Sequence, residues 1–408
     1  MSLAQALQLS LANNLTYRSA AADEAAARAR VVQAGAGRIP SLSVGYSYVH
    51  TQSAGFFAIP AGPSAPPKSF QISATDINNV NATLNYALYT GGAVQAAIGQ
   101  ASAGLSAAEN QLAAARANVI RDTTSAYFGL VSAQHVAAID AQAVSVARQS
   151  LDVSSQMYRA GTAAKADVLR GQVSLANAQV QSIQADAAAA LADASLANLL
   201  NINLGSRITP TEPLEIALAR YALSDVLADA KTRRPEIAAA HDAVTIADRA
   251  IAAARAGTLP TVALQVQDAS SKPNFENIPQ PQLSETLAIA WKLFDGGLTR
   301  GKVLEAHADL DKANLQLQQL DNSVDLEARQ AYLNYQAALA QVDAAKSAQA
   351  SADESLRVSG IRYRAGVGTS LELADAELAD TQAQTQLITA IVNVRVALTN
   401  LQRAAGLL

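Results

Sequence analysis

The chain has 408 residues, a formal net charge of −4 and no cysteine. That balance, with no Lys/Arg cluster interleaved with aromatics, argues against a nucleic-acid surface, and the missing cysteines exclude disulfides, thiolate zinc sites and thiol nucleophiles. No apolar run reaches the ~18 residues of a spanning helix; the best stretch, 185–200, is interrupted by Asp186 and Asp193.

The chain opens at Met1-Ser2-Leu3 already in helical pattern, with no charged n-region and apolar h-region, as expected of mature numbering behind a new Met. Leu3, Leu7 and Leu11 share one face of a helix predicted over 3–38 and stopped by Gly35, Gly37 and Pro40. From Ser41 the period becomes two. Leu42, Val44, Tyr46 and Tyr48 alternate with Ser41, Ser43, Gly45 and Ser47, and Val80, Leu84, Tyr86 and Leu88 alternate with Asn79, Asn81, Thr83 and Asn85. These are two strands of a hairpin over 41–90, each with one apolar and one polar face. Between them Gly55-Phe56-Phe57 and the proline-rich stretch 60–67 read as a loop without periodicity.

After Gly91-Gly92 a proline-free segment rich in Ala, Gln and Leu continues to Tyr158-Arg159-Ala160-Gly161. A helix over 92–160 would be ~100 Å long at 1.5 Å per residue, too long for the core of one compact domain. Ile98, Leu105, Leu112 and Val119 recur every seven residues, with alanines between them, which predicts left-handed supercoiling against neighbouring helices. A further helix follows over 165–200, and Gly205, Pro210 and Pro213 mark a linker.

The second half repeats this plan. A helix is predicted over 223–257, a hairpin over 261–295, a long helix over 297–365 and a last helix over 371–402. Val262, Leu264 and Val266 alternate with polar residues on one strand, and Leu287, Ile289, Trp291 and Leu293 supply the apolar positions of the other. The pairs Gly91/Gly296, Ala126/Ala331 and Tyr158/Tyr363 all stand 205 residues apart, and the heptad returns as Val303, Leu310, Leu317 and Val324. Two repeats are therefore expected, 1–205 and 206–408, in a mainly α protein with a small β part. Alternation of this kind suits a small sheet on a soluble core and equally a lipid-facing barrel strand with interfacial aromatics. Four strands cannot close a barrel, for which bacterial chains need about eight or more, so a barrel requires several chains.

The ordered set is specific. The tandem halves, the turns Tyr89-Thr90-Gly91-Gly92 and Phe294-Asp295-Gly296-Gly297, and the segment 362–376, Arg-Tyr-Arg-Ala-Gly-Val-Gly-Thr-Ser-Leu-Glu-Leu-Ala-Asp-Ala, resemble the TolC family of bacterial outer-membrane efflux proteins over essentially the whole chain. The resemblance implies a homotrimer whose strands form a 12-stranded barrel and whose coiled helices form a tunnel across the periplasm, with the barrel in outer-membrane lipid. It implies an exit duct of a tripartite efflux pump that passively conducts small molecules, working with a periplasmic adaptor (membrane fusion protein) and an inner-membrane transporter. An exit duct of type I protein secretion is the alternative, and a soluble, elongated coiled-coil scaffold a more distant one. Members with a lipidated N-terminal cysteine exist; no cysteine is present here to carry that anchor.

Carried onto this chain, the resemblance makes Arg159, Gly161, Thr162, Arg364, Gly366, Val367, Gly368 and Thr369 the adaptor contacts. The plainer reading of the glycines is a helix C-cap. Glu372 and Asp375 resemble the paired aspartates that ring the constriction of the closed end, with Glu in place of the commoner Asp, and Asp167 stands 205 residues before Glu372. Carboxylates there also suit a helix N-terminus. Arg170, matching Asp375 in the first half, is expected to pair across the gate. Tyr46, Tyr48, Tyr86, Tyr89 and Trp291 are the expected membrane-interface aromatics. No enzyme activity, cofactor or metal is expected. His50, His135, His241 and His307 have no ligand companion at helical spacing, and the Gly-Gly pairs lack phosphate-loop spacing.

Overall fold

The computed structural model describes every residue other than 54, 60–67, 72–73, 214–218 and 274–279. The proline-rich stretch 60–67 thus lies outside the described residues. In chain order the elements are α1 (Leu3–Asn13), α2 (Leu15–Ala36), β1 (Ser41–His50), β2 (Phe56–Ile59), β3 (Lys68–Gln71), β4 (Asp76–Tyr89), α3 (Ala93–Arg159), α4 (Lys165–Leu199), α5 (Leu223–Arg233), α6 (Pro235–Arg255), β5 (Thr261–Pro273), β6 (Gln280–Ala290), α7 (Leu298–Arg364) and α8 (Ser370–Ala404). The long helices α3 and α7 each have 67 residues, and α4 and α8 each have 35.

The structure breaks two helices that the sequence pattern makes continuous. The helix expected over 3–38 is interrupted at Asn14, whose backbone turns extended (φ −60°, ψ 126°). Its side-chain oxygen accepts hydrogen bonds from the amides of Thr16 and Tyr17, and its amide donates to the Leu199 carbonyl. A side chain that satisfies the next helix's first donors offers the backbone an alternative to continuing. The helix expected over 223–257 is interrupted at Arg234 (φ −71°, ψ 121°) because Pro235 disfavours the helical conformation in the residue before it and then suits the first position of a new helix. In the 50–75 interval, where the sequence suggests only loop, β2 and β3 pair as a small antiparallel hairpin with Phe57 opposite Phe70. Four-residue strands are too short to show a period.

The chain forms two compact units, each drawn from both halves of the sequence. One comprises 25–107 and 241–315 and holds the strands; the other comprises 1–24, 108–240 and 316–408. In the strand unit, β1, β4, β5 and β6 form one antiparallel sheet in the order β1-β4-β5-β6. The register pairs Leu42 with Leu84, Leu84 with Val266 and Leu264 with Leu287, so the apolar positions of all four strands share a face. A bulge at Ala87/Tyr89 ends the β4–β5 ladder just before the glycine pair. Gly91 takes φ +63°, and a Cβ there would stand 2.9 Å from the Ala256 carbonyl oxygen, so this turn admits only glycine.

The helical unit has two cores. Tyr127, Phe128, Leu130, Leu196 and Leu200 pack with Ala6 and Val392, while Val226, Val324, Tyr335, Val342 and Leu401 form the other. Each core buries a tyrosine whose hydroxyl finds a main-chain acceptor: Tyr127 donates to the Met1 carbonyl at 2.9 Å and Tyr335 to the Ala219 carbonyl at 2.8 Å.

Candidate functional site

In the helical unit, α3 and α7 end in the same turn. Ala160 and Gly161 follow α3. The Gly161 amide donates to the Tyr158 carbonyl and the Thr162 amide to the Met157 carbonyl, with φ +80° at Gly161. The second turn repeats this with Gly366 to Tyr363 and Val367 to Arg362, at φ +75°. These are Schellman caps, whose left-handed residue glycine occupies without penalty. Gly368 differs: a Cβ there would lie 3.0 Å from the Tyr363 amide nitrogen, so a side chain fits only if the turn gives by a few tenths of an ångström. Arg159, Thr162, Arg364, Val367 and Thr369 are exposed, with Val367 standing in solvent. The Arg159 and Arg364 guanidinium groups donate back to the Ser155 and Gly360 carbonyls.

Both following helices carry a carboxylate at their third position. Asp167 accepts from the Ala164 amide at 3.2 Å, and Glu372 from the Thr369 amide at 3.4 Å. Thr369 returns the bond by accepting from the Glu372 amide, a reciprocal capping box that Ala164 has no oxygen to match. Asp167 also joins the two turns. It accepts from the Ser370 hydroxyl at 2.5 Å and from Arg170 Nη1 at 3.0 Å, and Arg170 in turn donates to Ser370. The Ser370 bond, with the Ala164 amide and the Arg170 charge, holds the Asp167 carboxyl below the usual carboxylate range against the opposing effect of burial. Arg170 thus reaches the second turn through Ser370. Glu372 lies 3.9 Å from Arg362, and Asp375 is exposed one turn further along α8. The sequence does not single out Ser370: a serine opening a helix reads as a local cap, and its partner stands 200 residues earlier.

In the strand unit, the apolar face of the sheet is open. Leu42, Val44, Leu287 and Ile289 are each more than 60% exposed. Tyr46, Tyr48, Tyr89 and Trp291 are exposed too, while Tyr86 is half-buried. Tyr46 and Tyr48 donate to Asn78 at 2.8 Å and Asp76 at 2.5 Å. β6 stops at Ala290, so Trp291 lies just past the strand, where its indole donates to the Thr258 carbonyl at 3.0 Å. A continuous apolar band rimmed by hydrogen-bonded aromatics is compatible with lipid. No helix among the described residues is long and apolar enough to cross a membrane, and none of their acidic and histidine side chains group as a metal site.

An amphipathic four-stranded sheet joined to paired long helices defines an outer-membrane channel protein of the TolC type. The family model described as outer membrane efflux protein matches residues 6–202 and 226–407. The chain belongs to that family, and it is an outer-membrane efflux channel. It is 28% identical to Protein CyaE of Bordetella pertussis over 362 residues, covering 86% of this chain and 75% of that one. To outer membrane protein TolC of Salmonella enteritidis it is 25% identical over 312 residues, covering 71% and 61%. The fold matches the crystal structure of the Campylobacter jejuni CmeC outer membrane channel with a TM-score of 0.85 at 17% identity, over 99% of this chain and 85% of that one. Family and fold are those of channel proteins rather than enzymes.

Proposed function

We propose that three copies of the chain assemble into the exit duct of a tripartite pump, passing small molecules to the exterior without chemistry of its own. The four-stranded sheet carries this reading: β1 and β6 are its edges, and its apolar face is uncovered. Open edges are costly in water and in lipid alike, and an apolar face is costly in water; closure into a barrel pairs the edges, and lipid covers the face. Three sheets of four strands give a 12-stranded barrel, within the known range for outer-membrane barrels.

In this assembly the helices extend into the periplasm as a tunnel, and the turns at Gly161 and Gly366 are its inner tip. Arg159, Gly161, Thr162, Arg364, Gly366, Val367, Gly368 and Thr369 meet a periplasmic adaptor, through which an inner-membrane transporter delivers its cargo. Glu372 and Asp375 from three chains form acidic rings that favour cations, and the Asp167–Arg170–Ser370 link keeps the tip narrow. The two repeats, 1–205 and 206–408, are the duplicated unit, a reading supported by long helices of equal length in each. The experiment is purification of the full chain from outer membranes in detergent, with its mass determined and its conductance measured in planar bilayers. Trimers that conduct, with cation selectivity lost in E372A/D375A, are expected. A buffer-soluble monomer that forms no channels refutes the assembly.

A further inference from the structure

The connection from β1 to β4 leaves the sheet at the end away from Gly91 and carries the β2–β3 ribbon. Its neck is tied by hydrogen bonds. The Thr51 amide donates to the Thr75 carbonyl at 2.6 Å, and Asp76 accepts from the Tyr48 hydroxyl at 2.5 Å and meets His50 Nδ1 at 2.7 Å. The register sets Leu42, Tyr46, Tyr48 and His50 on one face of β1, so the side chains that tie the neck stand on the apolar face of the sheet. Lys272 of β5, opposite Asn78, is exposed on that same face at the same end. The other acids of the face, Asp268 and Glu285, stand nearer the Gly91 end, and Asp76 is engaged by its donors. The outer rim of the apolar face therefore presents lysine.

The ribbon beyond this neck is unlike an ordinary surface loop. Residues 51–75 contain three phenylalanines and a single charged residue, Lys68. Phe57 pairs with Phe70 and Ile59 with Lys68, so these four share one face of the ribbon, and all four are exposed. Phe56 and Ala58 belong to the opposite face. A two-stranded ribbon alone is marginally stable in water, and this one leaves its large apolar side chains uncovered. Contact among three copies over the mouth of a barrel would cover the rings. It would also bring three Lys68 ammonium groups into one apolar contact, where nothing in residues 51–75 neutralises them. A layer of anionic lipid covers the same face without that cost. The rings enter the headgroup boundary, the lysine stem lies along them, and its ammonium reaches a phosphate. Lys272 at the rim faces the same layer, so ribbon and sheet offer one continuous surface of apolar groups edged by cations.

We propose that the β2–β3 ribbon docks on the outer leaflet of the outer membrane, with Phe57, Phe70 and Ile59 in the headgroup boundary and Lys68 on an anionic lipid phosphate. This rests on the sheet being part of a lipid-embedded barrel, and the test separates the two. Because the chain has no cysteine, a nitroxide label can be placed at one position at a time. The full chain carrying F57C, A58C or L287C is labelled and reconstituted in vesicles of equal parts phosphatidylcholine and phosphatidylglycerol. Collision of each label with oxygen, which partitions into lipid, is compared with collision with a water-soluble nickel chelate. The oxygen-to-nickel ratio at F57C should exceed that at A58C several-fold and approach that at L287C, which lies on the apolar face of β6. It should fall several-fold in F57C/K68E and in vesicles of phosphatidylcholine alone. F70C, on the facing strand, should report as F57C does and decides the matter should F57C misassemble. A lipid-like L287C beside a water-like F57C and F70C overturns the docking and leaves the barrel standing. Labels at F57C and F70C that meet neither reagent show a protein cover, and overturn the docking too. A water-like L287C overturns the barrel and the docking with it.

Discussion

The interruption of the second-half helix at Arg234 creates the helical unit's densest ionic contact. Arg234 lies inside at 4% exposure, and its Nη1 donates to Glu327 at 2.6 Å while its other terminal nitrogen reaches Glu236 at 3.3 Å. Arg403 of α8, 13% exposed, donates to Glu327 at 2.5 Å, to Glu236 at 2.8 Å and, through Nε, to Asn118 of α3 at 3.0 Å. Two arginines and two glutamates thus tie α3, the α5–α6 junction, α7 and α8 together. Replacing both acids in E236Q/E327Q strands two buried guanidinium groups, which typically costs about 3–5 kcal/mol. Glu327 is 42% exposed, so solvent screens part of its share and E327Q alone should fall near ~1 kcal/mol. For a chain this long each kcal/mol moves the melting temperature by about 1–2 °C, extrapolating the size trend of smaller domains. The double variant should therefore melt several degrees lower by circular dichroism in detergent at one scan rate. The apolar quadruple R234M/E236L/E327L/R403M should match or exceed the unaltered protein, because it removes the desolvated charges along with their attraction. Acid should mimic the double variant. Burial is the largest single influence on Glu236 and pulls its pKa up, but the hydrogen bond from Arg234, with its charge and that of Arg403, holds it below the usual range. Its stabilisation is present above the unfolded carboxylate value and is lost as pH falls through the folded one. A double variant melting within 1 °C of the unaltered protein, or a quadruple variant as unstable as the double, refutes this account.

Three further outcomes are expected. S370A and D167N each cut the link between the two turns and should raise single-channel conductance in planar bilayers; because Asp167 is held below the usual carboxylate range, the unaltered channel should open in the same way only as pH falls through that lowered value. Conductance unchanged in both variants rules the link out as a gate. G161V and G366V place a branched side chain at positive φ in open space, so they should cost about 1–2 kcal/mol locally, leave the trimer intact and abolish efflux in a drug-susceptibility assay; normal efflux removes the adaptor role from these turns. G91A drives a methyl against the Ala256 carbonyl and the Leu259 side chain at 2.9 Å, and should lower the yield of heat-resistant trimer in outer membranes several-fold; an undiminished yield shows that the turn can shift.

The sequence displays what repeats and hides what is paired across long separations. Heptads, two-residue alternation and the glycine-punctuated turns are local signals, and they place both long helices and all four barrel strands. The breaks at Asn14 and Arg234 were legible in principle, through an Asx cap and a residue before proline, but an uninterrupted leucine and alanine pattern on either side masks them. They occupy the same place in the two halves, 220 residues apart, and each follows an 11-residue helix. Asn14 and Arg234 are also both buried polar residues, so the break is where each half brings a hydrogen-bonding group inside. What that group contacts has no local signature. Glu327 and Arg403 look like ordinary surface charges in α7 and α8 until the chain is folded.

The tip shows why duplication had to be followed by divergence. With an offset of 205, Ser370 corresponds to Lys165, Arg170 to Asp375, and Thr369 to Ala164. Had the halves stayed identical in the first pattern, a lysine would stand where Ser370 donates its hydroxyl to Asp167. In the second pattern, an aspartate would stand in place of Arg170 and a glutamate in place of Asp167, two like charges facing each other. Only the mixed arrangement gives Asp167 a neutral donor and a cationic one together. The second turn, which carries a full capping box, can hold its own helix start without help from the first. The first turn, with alanine at the cap, leaves one helix-start donor without a side-chain acceptor and relies on Asp167, the same carboxylate that bonds Ser370. Opening the link therefore disturbs the first turn more than the second. Amide exchange should show it: S370A should speed exchange over 162–170 by several-fold while 367–375 changes little, and equal acceleration in both segments would mean that the two turns open as one body.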